Sequence, residues 1–337
     1  MTDFLALKPA EQVLRLEAAG RDALCRWGIS EAMLELLKHR ENAVFKVEHD
    51  GERAALRLHR PGYHTDGELR SELQWMQALS DAGIKVPEII PSESGELFVS
   101  CCVDGLPGEV QADLFEWIDG EQLGSVEAGV SDESGVERTF GTLGALAAQV
   151  HNQAVTWNLP DGFVRHAWDA DGLAGERPFW GCFWEIEGAS SEQTALLERG
   201  RDRAYRDLCK LAKSPGSYSL IHADFAAENI MVDGGDLRLI DFDDAGFGWH
   251  LFELVTALFF IRGESYFDRA ESALIEGYRK HRQLSDEDLE LLPLFNLARS
   301  FTYVGWVHTR SETETAKELA PMILGSACEL AEEYLSD

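Results

Sequence analysis

The chain has 337 residues, 45% of them hydrophobic, enough for one large domain or two ordinary ones, each with its own core. Sixty acidic residues against 30 basic ones give a formal charge of −30, which repels polyanions and argues against nucleic acid, where affinity comes largely from Lys and Arg on phosphates. Six cysteines without C-x-x-C spacing point to reduced thiols rather than a disulfide framework or zinc site, and no run reaches the roughly 18 apolar residues of a membrane span; a cytoplasmic protein without a membrane partner is expected.

In chain order, Leu14, Leu16, Ala19, Ala23 and Leu24 recur at approximately helical spacing, which predicts an N-terminal helix over residues 8–26. From Glu41 the period changes, and "NAVFKVEHDGERAALRLHR" reads as two short strands around an Asp50-Gly51 hairpin turn. "DGELRSELQWMQALSDAGI" returns to a helix, with Leu69, Leu73, Met76 and Leu79 on one face and Gly83 at its C-cap. "KVPEIIPSESGELFVSCCVDG" reads as strands with Pro and Gly punctuation. The remainder is mostly helical, interrupted by strands at "LIHADF" and "NIMVDGGDLRLIDFDD" and by an irregular insertion between Asp161 and Ser190. The expected organisation is an N-terminal helical extension (1–30), a nucleotide-binding lobe (31–115) and a catalytic, acceptor-binding lobe (116–337).

The stretch "SYSLIHADFAAENIMV" has the form H-x-D-x-x-x-x-N, with His222, Asp224 and Asn229, and Asp241 follows 17 residues after Asp224 in "LRLIDFDD". A strand, a D-G-G turn and a second strand between them could fold back and bring Asp224, Asn229 and Asp241 to one site. Oxygen ligands of this kind suit Mg²⁺. Phosphoryl transfer needs such a set: a base for the attacking hydroxyl, an Asp and an Asn holding metal on the nucleotide phosphates, and a cation pinning those phosphates from another element. The spacing is similar to that of protein kinases, whose catalytic-loop Asp is followed five residues later by a metal-binding Asn.

"RAALRLHR" is the expected source of that cation. Ala55 and Arg57 alternate onto one face in an A-x-[K/R] relation, as Ala and Lys do in V-A-I-K of protein kinases; Lys46 on the preceding strand competes. Glu68 and Glu72, one helical turn apart, are candidates for the carboxylate that orients Arg57, and Glu72 is preferred because Leu73 and Met76 beside it are apolar. No G-x-G-x-x-G precedes the first strand, so the lid over the phosphates is expected in a different turn, around Glu41 and Asn42.

"LIHADFAAENIMV" with "LRLIDFDDAGFGWHLFEL" closely resembles the motif pair of the aminoglycoside phosphotransferase family, which also holds choline, homoserine and fructosamine kinases and the bacterial stress-response protein kinases. "LRLHRPG", "FEWIDG" and "LAAQVH" look like further landmarks, so the likeness runs from about residue 36 to beyond 310. The resemblance implies an α+β, protein-kinase-like two-lobed fold, with an antiparallel sheet and one helix in the small lobe and a mainly helical large lobe. It implies ATP and Mg²⁺ as cofactors, Asp224 as catalytic Asp, His222 as support of its loop, and Asn229 and Asp241 as metal ligands. Asp243, the second acid of a D-x-D form, would add to the metal shell, and Arg57 takes the strand position of the ATP-phosphate cation. The backbone of Glu116, Trp117 and Ile118, in the lobe connector "DLFEWIDG", would bind adenine. Glu253 stands where many members have Asp, which leaves its support role open.

The resemblance fixes the reaction better than the acceptor. Asp243 and Asp244, with Trp180, Trp184, Trp249 and Trp306, could receive an amine by charge and cation–π contact; the alternative for each tryptophan is a core anchor. The expected partner is a small hydroxyl acceptor, amine-bearing: an amino alcohol, amino acid, sugar or aminoglycoside-like molecule. "FVRHAWDADGLAGERPFWGCFWEIEG" and "LARSFTYVGWVHTR" resemble segments near the stress-response branch, which keeps a protein Ser/Thr kinase as the alternative, with a nucleotide-binding pseudokinase behind it. No clear activation segment lies between "DFDD" and "WHLFEL", which favours the small molecule.

Overall fold

The computed structural model describes residues 4, 7–39, 42–125, 129–130, 135–234 and 236–336; Glu41 of the expected lid lies outside them. Its elements, in order, are α1 (Pro9–Leu24), β1 (Met33–His39), β2 (Ala43–His49), β3 (Glu52–Leu58), α2 (Asp66–Asp81), β4 (Val99–Cys101), β5 (Val110–Glu116) and the short β6 (Glu121–Gln122), β7 (Gly124–Ser125) and β8 (Gly129–Val130). There follow α3 (Val136–Thr156), β9 (Ala167–Trp168), α4 (Ala170–Ala174), α5 (Ser191–Leu208), β10 (Tyr218–Ile221), β11 (Ile230–Asp233), β12 (Asp236–Leu239) and β13 (Gly246–Trp249). The last helices are α6 (His250–Leu258), α7 (Phe267–Arg279), α8 (Asp286–Leu289), α9 (Leu292–Thr309) and α10 (Glu314–Ser336). Two compact units result: Met1–Glu121 with Asn158–Val164 and Met231–Asp243, and Gln122–Trp157 with Arg165–Ile230 and Asp244–Asp337.

The first unit is built on an antiparallel sheet in the order β1-β2-β3-β5-β4. Asp50 and Gly51, both at positive φ (51° and 83°), make the tight β2–β3 turn, and Gly51 adopts that conformation without a Cβ penalty. Period-two alternation then sorts the strands. Phe45, Val47, Leu56, Leu58, Val110, Ala112 and Leu114 pack with Leu16, Ala19, Ala23 and Leu24 of α1, whereas Lys46, Ala55, Arg57, Asp113 and Phe115 occupy the opposite side of the pleat. Gly20 lets α1 come close, because a Cβ there would lie 3.0 Å from Leu56. α2 opens with a capping box in which Thr65 Oγ1 accepts from Glu68 N (3.2 Å) and Glu68 Oε2 from Thr65 N (2.9 Å), and Gly83 (φ 82°) follows its end. Asn42, the described half of the expected lid, is turned inward, and its Oδ1 accepts from Arg60 N (2.9 Å).

The second unit is mainly helical, with a small sheet in the order β10-β13-β9. α3 and α7 approach at backbone distance: a Cβ on Gly144 would sit 1.9 Å from Leu274 O, and one on Gly277 2.0 Å from Gly141 O. The Asp161–Ser190 stretch, expected as an irregular insertion, carries α4 and the core residues Trp168, Leu173, Trp180 and Phe183. Among the described residues no helix is long and apolar enough to cross a membrane.

Candidate active site

In the first unit β3, β5 and α2 bring charged groups together away from water. Arg57 Nη2 donates to Glu72 Oε1 (2.7 Å) and Asp113 Oδ2 (2.7 Å), and its Nε to Asp113 Oδ1 (3.1 Å). Arg57 and Asp113 face each other across the β3–β5 ladder, and Glu72 lies on the buried side of α2. The structure thus joins Arg57 to Glu72, and it adds Asp113, which the sequence does not single out. His59 Nε2 meets the same Asp113 Oδ2 at 2.9 Å. Burial disfavours the Arg57 guanidinium's charge, yet the Asp113 and Glu72 carboxylates outweigh it and hold its pKa well above the usual value. Burial likewise works to raise Asp113, and Arg57 and His59 overcome it and hold the carboxyl below its usual range. The bonds to Glu72 and Asp113 commit the Nε and Nη2 of Arg57. Lys46, the competing cation, pairs with Glu48 and stands 5.5 Å from the centre of the Trp117 ring.

The β11–β12 hairpin leads to Asp241, an exposed residue at φ 64°, a left-handed conformation Asp tolerates better than most residues. Phe242, fully buried edge-on against Trp75 of α2 (5.6 Å), anchors the segment. Asp243, expected beside Asp241 in a metal shell, is turned into the protein. Its Oδ1 lies 3.7 Å from both His59 Nδ1 and His64 Nε2, and its carbonyl accepts from His64 Nε2 (2.7 Å). Burial opposes its ionisation, but His59, His64 and Arg57 more than compensate and lower its pKa. At the connector, Glu116 N donates to Glu88 O (2.8 Å), and the Trp117 ring lies between Lys46 and Arg53, which holds Asp119 through two bonds (2.8 and 2.7 Å). Ile118 is half-buried between Trp117 and Asp119.

In the second unit β10 delivers His222, Ala223 and Asp224. Glu253, fully buried on α6, accepts His222 N (2.8 Å) on Oε1 and Ala223 N (2.7 Å) on Oε2. That bidentate grip fills the support role left open by the sequence. His222, also fully buried, accepts Asp224 N on its Nδ1 (3.3 Å). Ala223 stands at φ 65°, where a Cβ costs roughly 1–2 kcal/mol. Asp224 is held at both oxygens: Arg299 Nη2 donates to Oδ1 (2.7 Å) and Asn229 Nδ2 to Oδ2 (2.7 Å). Asn229 Nδ2 also donates to Asp224 O (2.9 Å), Leu123 N to Ile230 O (2.8 Å) and Gln122 Nε2 to Glu228 O (2.7 Å), which ties down the loop's far end.

A model of the phosphotransferase enzyme family (APH) matches residues 34–286. The chain belongs to this family. The amicoumacin kinase of Bacillus subtilis (strain 168) is 24% identical over 322 residues, 92% of this chain and 90% of that protein. Among solved structures, the microcompartment-associated aminopropanol kinase is 32% identical, with a TM-score of 0.83 over 95% of this chain and 98% of that one. The amicoumacin kinase hAmiN, solved with AMP-PNP, Ca²⁺ and Ami, superposes at a TM-score of 0.77 with 19% identity, over 97% and 96% of the two chains. This phosphotransferase is therefore a kinase with the α+β, kinase-like fold of these structures.

The donor chemistry suits a hard divalent cation. Both hydrogen bonds from the Asn229 side chain go to acceptor-only oxygens, which fixes its NH₂ group on Asp224 and makes its Oδ1 an acceptor of the kind such a cation takes. Of the tryptophans considered for an amine, Trp180 donates to an acid of that set, Asp244 Oδ1 (3.1 Å). Trp184 packs on Arg201 (4.5 Å), Trp306 on Arg310 (5.1 Å), and Trp249 is a buried core residue donating to Ala212 O (3.4 Å). Asp113, Arg299 and Tyr303 escaped the sequence reading. Period-two alternation could have flagged Asp113 as a charge inside the apolar run "VQADLFE"; Arg299 has no local signal beyond being a lone cation in "LFNLARSFTYV".

Proposed function

We propose that this phosphotransferase moves the γ-phosphoryl group of ATP, with Mg²⁺, to a hydroxyl of a small amine-bearing molecule, an amino alcohol being the favoured class. The observation that carries the reading is the Asp224–Asn229 bond. It orients one carboxylate as a base for the acceptor hydroxyl, while it turns the amide oxygen out as a metal ligand. Asp241 is the proposed second metal ligand, and the metal, when bound, supplies charge neutralisation on the phosphates. Arg57, oriented by Glu72, is the proposed phosphate cation. Ala55 lines the same side of the sheet, and the Glu116–Ile118 backbone is the proposed adenine contact. Asp243 stays a proposed member of the metal shell, and in the same position its carboxylate balances the charge of the Arg57–His59–His64 group.

Support for an amine comes from charge. Asp224 and Asp244 lie within electrostatic reach of Arg299, and Asp224 and Glu228 within reach of Tyr303, so three acids gather in the second unit's loop region, and Asp244 is steered by Trp180. An aminopropanol kinase being 32% identical over nearly the whole chain points to the same class. The test is an ATP-consumption screen across amino alcohols, amino acids, sugars and aminoglycosides. Turnover with amine-bearing alcohols is expected. Label passing from ATP to generic proteins, and to no small molecule, would overturn the reading.

A further inference from the structure

The stretch from Ser217 to Val232 that carries Asp224 contains no Lys or Arg, so the cation on this carboxylate comes from a distant part of the chain. It is Arg299, in the middle of α9 and fully buried. Its Nη1 donates to Ala223 O (3.0 Å), and its Nη2 to Asp224 Oδ1 (2.7 Å) and Tyr303 Oη (2.6 Å). The rings of Tyr303, Trp180 and Phe252 surround the guanidinium carbon at 4.1, 5.0 and 5.3 Å. Enclosed in this way, Arg299 is poorly placed to bind a substrate directly. What it holds is the loop. Ala223 is strained at φ 65°, with Glu253 on its N–H and Arg299 on its carbonyl, and Asp224 has one oxygen on Arg299 and the other on Asn229. A carboxylate fastened at both oxygens cannot rotate, and its direction toward an acceptor is set before the acceptor arrives.

We infer that Arg299 is a positioning residue for phosphoryl transfer, fixing the Asp224 carboxylate through Oδ1 and the Ala223 carbonyl. The inference rests on the proposed role of Asp224 as base. Lys cannot reproduce the fork that reaches both acceptors, so Arg299→Lys keeps the charge and loses the geometry.

The test measures ATP turnover by Arg299→Lys, Arg299→Met and Tyr303→Phe, with an acceptor from the screen and with water alone. Water can stand in for the acceptor hydroxyl, so slow hydrolysis reads the effect whichever acceptor is the natural one. The expected result is a kcat about 100-fold lower in both Arg299 variants and several-fold lower in Tyr303→Phe, with KM for ATP within about twofold of the parent. Combined with Asp224→Asn, Arg299→Lys should cost less than about threefold more, because its partner is already disabled. If Arg299→Met does not fold, the other two variants carry the test. An unchanged kcat in Arg299→Lys and Tyr303→Phe, or the same fold-loss with and without Asp224→Asn, overturns the inference. A parent protein that turns over ATP with neither acceptor nor water refutes the functional reading and this inference with it; turnover with water alone refutes only the choice of acceptor.

Discussion

Replacing Glu253 by Gln changes one atom type at the centre of the second unit and should be felt in both stability and turnover. The carboxylate accepts two backbone N–H groups, at 2.8 and 2.7 Å, with no exposure to solvent. An amide accepts one of these and turns its own NH₂ toward the other, leaving a buried donor unpaired, at a cost of about 1–3 kcal/mol, and the surviving bond loses its charge assistance, about 1 kcal/mol more. Against this stands a relief: burial holds the Glu253 carboxyl above its usual pKa, opposed in part by His222 and the two N–H groups, so removing the charge returns some of that cost. The loss outweighs the relief because both donors are as deeply buried as the acid. A net loss of roughly 2–3 kcal/mol corresponds to about 5–10 °C in Tm for a unit of this size. Ala223, no longer gripped on its N–H, would relax from φ 65° and take Asp224 with it, and a shift near 1 Å lowers kcat by about 100-fold. Thermal unfolding and steady-state ATP turnover check both parts. A variant with parental Tm and parental kcat would refute the reasoning that Glu253 holds the loop.

Other expectations follow from the same geometry. Arg57→Met removes the guanidinium that buried Glu72 and Asp113 share, leaving His59 on Asp113, and should cost about 3–5 kcal/mol, read as a large drop in Tm; an unchanged Tm would mean the network is not formed. Burial alone would lower the His59 pKa, but Asp113 and Asp243 overcome it and raise it to about 9, so the stability this imidazolium contributes is fully present below about pH 6.5 and is lost as pH rises through 9. Tm should therefore fall between pH 6.5 and 9 more steeply in the parent than in His59→Gln, and parallel profiles would contradict it. Gly144→Ala places a methyl 1.9 Å from Leu274 O, so α3 and α7 must separate; a loss of at least about 1–3 kcal/mol in denaturant unfolding is expected, and a neutral result would show that the helices have room.

What was legible in the sequence was what local spacing encodes. The Asp50-Gly51 turn, the capped helix ending at Gly83, and the strand alternation that puts Ala55 and Arg57 on one side of the sheet all depend on neighbours within a few residues. The helix with two candidate glutamates offered Arg57 its partner, and the structure selects Glu72, whose side chain is fully buried. What was illegible depends on long-range pairing. Asp113 reaches Arg57 across 56 residues only because β3 and β5 are neighbours, and Arg299 reaches Asp224 across 75. The stretch from Asp161 to Ser190 looked irregular because it has few regular elements, yet it buries Trp168 and Phe183 completely, which no periodicity announces. Asp243 combines both kinds of signal: its position beside Asp241 is a local motif, whereas its burial beside His59 and His64 depends on segments far away in the chain.

Everything proposed for this site turns on Asp224 serving transfer from ATP to a small amine-bearing alcohol. The most direct measurement follows γ-labelled ATP with an amino alcohol in a single turnover, for the parent and for Asp224→Asn, alongside nucleotide affinity. Label is expected on the amino alcohol with the parent, with a rate lower by orders of magnitude in Asp224→Asn and the same affinity for Mg²⁺-ATP in both. Equal transfer rates for the two proteins, or no labelled small molecule with the parent, would contradict it.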